Sequence, residues 1–90
     1  MDRTALERTL DERFDATPGE VRAVVRAAGD LADSGRYASD VGTPLTVAAV
    51  VESLRDAPDE RLPERWNWWL GSLELAFGGY AEFQIRAVER

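Results

Sequence analysis

Arg65-Trp66-Asn67-Trp68-Trp69-Leu70-Gly71-Ser72-Leu73-Glu74-Leu75-Ala76-Phe77 holds every tryptophan of the 90-residue chain, with Tyr80 and Phe83 close behind. A tryptophan buries about 200 Å² of mostly apolar surface, so a segment with all of them marks the centre of the core. On a helix turning about 100° per residue, Trp66, Trp69, Leu70, Leu73, Ala76, Phe77 and Tyr80 share an arc of roughly 120°. Trp68 and Leu75 fall on the opposite side, close to each other. One apolar face is enough to attach a helix to a small domain, so the second face needs its own explanation.

Upstream of this stretch, Ala57-Pro58 breaks the chain. Asp59 is placed to cap the tryptophan helix, and Pro63 falls in its first turn, where no backbone donor is needed. The helix is expected to run to about Phe77, with Gly78-Gly79 as its C-terminal cap. Beyond it, Ala81, Phe83, Ile85 and Ala87 alternate with polar residues as in a strand, while Tyr80, Phe83, Ala87 and Val88 also fit a helix. A lone strand has no partner for its backbone, so residues 80–90 are assigned as helix, open to running on from the tryptophan helix.

The first half of the chain is patterned the same way. Leu6, Leu10 and Phe14 recur every fourth position across residues 2–15, a thin apolar stripe for a helix packed over others rather than at the centre. Asp2 or Thr4 can cap it, and Thr4 with Glu7 has the capping-box spacing. Thr17-Pro18-Gly19-Glu20 is the clearest start signal: an N-cap, a proline at the first helical position and a carboxylate where a capping box has one. Val21, Val24, Val25, Ala28, Leu31 and Ala32 then follow helical spacing. Gly29 inside that helix costs about 1 kcal/mol relative to alanine, which points to close approach of a neighbour. Ser34-Gly35 ends it. Residues 35–42 form a connection anchored by Tyr37 and Val41. Thr43-Pro44 repeats the cap-plus-proline signal before Leu45, Val47, Ala48, Ala49, Val50, Val51 and Leu54. That segment is apolar nearly all round, and its alanines and polar end favour helix over buried strand.

The fold expected is therefore all-α, a compact bundle of four to five helices in one domain spanning residues 1–90. The faces Val21 to Ala32, Leu45 to Leu54 and Trp66 to Phe77 form its core. A chain of this size buries a little over about 60% of its unfolded surface, so it can fold alone with little core to spare.

Charge sets the chain apart. Seventeen Asp and Glu stand against eleven basic residues, all of them Arg, for a net charge of −6. Helix propensity gives no reason to exclude lysine. An acidic, lysine-free composition over the whole chain resembles that of small uncharacterised proteins from extremely halophilic archaea. The resemblance implies a protein working in near-saturated salt. Screening fits it: the Debye length is near about 3 Å at 1 M salt and about 30 Å at 0.01 M, so self-repulsion of an acidic surface fades in molar salt.

Few chemistries are open to this chain. It has no Cys and no His, so disulfides, thiolate sites and imidazole catalysis or ligation are excluded. Without Lys as well, general-base or covalent chemistry would rest on a carboxylate or Tyr, and no nucleophile-elbow or phosphate-loop pattern occurs. Asp30, Asp33 and Asp40 straddle Gly35 like a calcium loop. With Gly35 at the glycine position, however, the third, ninth and twelfth positions are Ala32, Ala38 and Val41, which cannot ligate. Glu7, Asp11, Glu12 and Asp15 read as a solvated acidic face. No catalytic, metal or cofactor residue is assigned, and the chain is not expected to be an enzyme. No apolar run of membrane-spanning length is present and the charged N-terminus is no signal peptide, so a cytoplasmic location is expected.

Trp68 and Leu75 remain. The plainer reading, favoured by frequency, makes the tryptophan helix central, with both faces covered by helices of the same chain. The sharper one makes Trp68, Gly71, Ser72 and Leu75 an interface, the two small residues allowing close approach. Its partner is another protein or a second copy of the chain as a homodimer. The functional expectation is a non-enzymatic protein-interaction or adaptor module without membrane contact. The alternative is a small helix-turn-helix DNA regulator with Arg61 and Arg65 near the second helix. Nucleic acid is disfavoured, because that helix presents tryptophans where a groove needs polar side chains.

Overall fold

In the computed structural model, which describes residues 1–86, the Thr17 hydroxyl accepts a hydrogen bond from the Glu20 amide at 3.1 Å. The Glu20 carboxylate accepts one from the Thr17 amide at 3.0 Å. This reciprocal cap starts the longest helix, α2 (Pro18–Ser34). The other helices are α1 (Arg3–Arg13), α3 (Arg36–Val41), α4 (Val47–Arg55) and α5 (Leu62–Phe77), followed by a 3₁₀ turn at Ala81–Phe83. The described residues are thus an all-α bundle. α1 packs on α2 and α4, α5 packs on the same two helices, and the 3₁₀ turn sits against α2 and α5.

One core joins these elements. Leu6 and Leu10 of α1 are fully buried with Val24, Ala28 and Leu31 of α2, Val50 and Leu54 of α4, and Trp66 and Leu70 of α5. Leu6 and Leu10 of the thin stripe are therefore fully engaged, although the helix covers the bundle from outside. Asp2 is its cap, accepting from the Ala5 amide at 3.0 Å. α1 stops at Arg13, and Phe14 is its extended C-cap residue, half-buried beneath the Arg65 guanidinium at 5.3 Å. Gly29 is buried because the Arg3 side chain lies across it, on its way to Asp33 at 2.7 Å. That is the close neighbour the sequence called for, and it is a flexible side chain.

Four expected boundaries shift, each for a local reason. Residues 36–41 are a short helix rather than an irregular connection. Tyr37 is its buried anchor, whereas Val41, at 41% exposure, anchors nothing. The cap of α4 is Thr46, whose hydroxyl accepts from the Ala49 amide at 3.1 Å, and not Thr43. Leu45 and Val50 then occupy the positions that a hydrophobic staple pairs, and both are buried. Asp59 does not cap α5. Its N-cap is Arg61, which makes no side-chain cap bond. The Arg61 side chain turns to Glu20 instead, donating from Nε and Nη2 at 3.0 and 2.9 Å. The Thr17 amide first, and Arg61 second, hold the Glu20 carboxyl below the usual carboxylate range.

The fourth shift concerns the end of the chain. Within residues 80–86 the helix assigned from sequence is only the 3₁₀ turn, and Gln84–Arg86 are not helical. Positive φ at Gly78 and Gly79 (79° and 85°) breaks continuity with α5. The rest of that assignment, 87–90, lies outside the described residues. No helix among the described residues is long and apolar enough to cross a membrane.

Candidate functional site

α5 buries one side from Leu62 to Leu73. Trp66 is enclosed and meets Trp69 edge-on with ring centroids 5.5 Å apart. Trp69 in turn meets Tyr37 of α3 at 6.0 Å. Leu70 and Leu73 continue this face, but Ala76 and Phe77 do not. Ala76 is exposed and Phe77 is 48% exposed at the rim. The chain reverses at Gly78-Gly79 and carries Tyr80 inward, so Tyr80 occupies the core end in their place. Its hydroxyl donates to Asp40 of α3 at 2.8 Å. Burial, then the neighbouring Asp40 carboxylate, push that hydroxyl up to about 12.

A second set of bonds straps the following segment to α5. Glu74 Oε1 accepts from the amides of Tyr80 and Ala81 at 2.6 and 3.1 Å. The Trp66 indole N–H donates to the Phe83 carbonyl at 2.9 Å. Asn67 binds the Ile85 backbone from both sides, donating from Nδ2 to its carbonyl and accepting its amide at Oδ1, each at 2.8 Å. Gln84 Nε2 closes the set on the Asn67 carbonyl at 3.2 Å. Sequence reasoning gave Asn67 and Glu74 no role. The available signal was an asparagine, a poor helix former, in the middle of an aromatic helix.

The opposite side of α5 is open. Leu75 is 91% exposed and Trp68 40% exposed, so the favoured expectation that neighbouring helices cover both faces is wrong. α2 and α4 take the other side, and the strap runs along the flank beside Asn67. Ser72 is exposed beside them, its hydroxyl donating only to the Trp68 carbonyl at 3.3 Å. At about 100° per residue, Glu64, Trp68, Gly71 and Leu75 share an arc of roughly 60°. With Ser72 about 40° beyond Trp68, the four interface residues singled out from sequence lie on one accessible side of α5.

Gly71 adds an observation of its own. A Cβ at this position would meet nothing within 4 Å. A glycine inside a helix costs about 1 kcal/mol against alanine. Gly29 is accounted for by Arg3, but no contact within the described chain accounts for Gly71.

The profile of the WNWW domain family matches residues 1–74. This chain belongs to the WNWW family. No curated protein and no solved structure matches it. In this WNWW domain the quartet Trp66-Asn67-Trp68-Trp69 divides by function. Trp66 and Trp69 build the core, Asn67 with Trp66 fixes the strap, and Trp68 faces outward.

Asp33, Asp40 and Arg65 have local structural jobs in the WNWW domain. Asp33 pairs with Arg3 and Asp40 accepts from Tyr80, so these acids near Gly35 serve different elements. No group of three or more acids placed to hold a metal occurs among the described residues. Arg65 lies over Phe14 and donates from Nη1 to the Leu54 and Ala57 carbonyls at 2.9 and 3.3 Å. It thereby stabilises the C-terminal end of α4, where a cation is favourable.

Proposed function

We propose that this WNWW domain is a non-enzymatic protein-interaction module whose contact surface is the α5 stripe of Trp68, Gly71, Ser72 and Leu75. The observation that carries the reading is Leu75, 91% exposed on a helix whose other face is closed over a full aromatic core. Fully burying a leucine is worth about 1.5–3 kcal/mol, so a partner that covers Leu75 gains substantially. Trp68 beside it supplies the residue type most enriched among interface hot spots.

The rival role, a duplex-binding helix-turn-helix, would need Arg61 and Arg65 at the start of α5. Arg61 is held by Glu20 and Arg65 by the end of α4, so the observed geometry favours a protein partner. The lysine-free acidic composition supports a working environment of molar salt, where burial of apolar surface is strengthened and charge repulsion screened.

The test is capture from a native high-salt lysate with wild-type and Leu75→Gln baits. The substitution alters a side chain that touches almost nothing in the domain, so the fold is kept. A partner, or more of the domain itself, retained by the wild type and lost with the variant supports the interaction module. Identical retention by both baits overturns it.

A further inference from the structure

Resting on the interaction reading above, we infer that the stripe's partner is a second copy of the chain. The two α5 helices would pack antiparallel across a two-fold axis that passes between Gly71 and Ser72.

In an antiparallel helix pair, residues at the same level have numbers that add to a constant. An axis between Gly71 and Ser72 puts Trp68 level with Leu75 of the other copy. The same contact repeats across the axis, so the two large exposed apolar side chains of the stripe cover each other twice. This is the self-complementarity that a two-fold interface requires. Trp68 and Leu75 are seven residues apart, two helical turns, and lie within about 20° of each other around the helix. They therefore face the same way.

The small residues fall where such a pair crosses. Gly71 and Ser72 flank the line joining Trp68 and Leu75, one on each side. Each would meet its own counterpart next to the axis, where the backbones approach most closely. Gly71 is open on its own chain, and a glycine where another backbone comes close is a recognised use of that residue. The second copy thus accounts for the one glycine in α5 that the fold does not use.

Charge agrees with the same register. Glu64 is exposed at the start of the stripe, and the register places it just past Phe77, the last residue of the other copy's α5, beside its Gly78-Gly79 corner. Arg36 sits at that corner. It packs against Gly79, donates to the Gly78 carbonyl at 3.4 Å and lies over the Tyr80 ring. The opposite ends of the two helices would therefore bring a carboxylate towards the corner that carries a guanidinium at both ends of the interface. Glu74, the other acid near the stripe, is turned to the Tyr80 and Ala81 amides. A parallel pair would instead set Glu64 against Glu64 on two chains that already carry −6 each.

A single helix face is small against the roughly 1,200–2,000 Å² of a standard interface, so the dimer is weak and strengthened by salt that screens the net charge. The experiment uses the full chain in molar KCl. Sedimentation equilibrium reads the association, and single-cysteine variants of this cysteine-free protein read its register. Under mild oxidation Ser72→Cys should cross-link readily, because the paired positions flank the axis. Glu64→Cys should not, since those positions lie about 22 Å apart along the helices. Leu75→Gln should raise the dimer Kd by at least about 100-fold, because both copies lose the contact. Gly71→Ala should raise the monomer's melting temperature and weaken the dimer, a split that a purely internal role for Gly71 would not produce.

Cross-linking at Glu64→Cys but not Ser72→Cys overturns the antiparallel register. A wild type monomeric at every accessible concentration overturns the dimer. In that case Leu75-dependent capture of a different protein leaves the interaction module standing, and Leu75-independent capture removes both.

Discussion

Asn67→Ala tests how the strap is held to α5. It removes the bond from Nδ2 to the Ile85 carbonyl and the bond from the Ile85 amide to Oδ1, both at 2.8 Å. A side-chain hydrogen bond contributes about 1 kcal/mol net, and a fully buried orphaned partner costs more. Ile85 is half-buried, so water can reach its freed backbone groups and the lower figure applies to each bond. The expected loss is about 2 kcal/mol, or a melting temperature lower by about 8–16 °C for a domain of this size. The bond from Trp66 to Phe83 remains, so the strap loosens from its far end first. Urea unfolding at constant molar KCl measures the total, and amide hydrogen exchange locates it. The Ile85 amide should lose its protection while the Val24 amide, deep in α2, keeps most of its own. Asn67→Asp retains an acceptor for the Ile85 amide but sets a charge against the Ile85 carbonyl, and should restore little. If Asn67→Ala leaves both the melting temperature and the Ile85 exchange rate unchanged, the strap is not held in this way.

Other consequences follow from the same geometry. The Tyr80 hydroxyl is raised from 10.0 to about 12. Between those values the unfolded chain loses the proton that the folded chain keeps. Stability should be intact below pH 10 and fall by roughly 3 kcal/mol as pH rises to 12, at 1.36 kcal/mol per unit. Tyr80→Phe should flatten that slope in urea titrations across the window. Gly29→Ala gains about 1 kcal/mol of helix propensity but pushes Arg3 aside. The exposed pair with Asp33 that it disturbs is worth about 0–1 kcal/mol, so urea unfolding should find the variant between equal to wild type and about 1 kcal/mol more stable. The melting temperature of the wild type should rise from dilute buffer to molar KCl, and equal values would count against adaptation to high salt.

Helices α1, α2, α4 and α5 were legible in the sequence because their signals are local. The Thr17–Glu20 box, the valine spacing of α2 and the Trp66, Trp69, Leu70, Leu73 arc each involve residues within a few turns, and each is where the pattern put it. What escaped depends on distant partners. Arg61 becomes an N-cap residue while its side chain binds Glu20, 41 positions away. Residues 84–86 need no strand partner because Asn67 supplies one amide group in place of a neighbouring strand. No periodicity encodes that pairing. The helical wheel identified the second face of α5 but could not count the helices available to cover it. With α2 and α4 both committed to the aromatic side, Trp68 and Leu75 stay outside.

The most direct test of the account is sedimentation equilibrium of wild type and Leu75→Gln in molar KCl, with melting curves for both. The wild type should associate in a concentration-dependent way. Leu75→Gln should stay monomeric over the same range and, at concentrations where both are monomers, melt within a few degrees of wild type. A wild type that remains monomeric throughout, or a Leu75→Gln variant that associates equally well, would contradict the assignment of the α5 stripe as a self-interface.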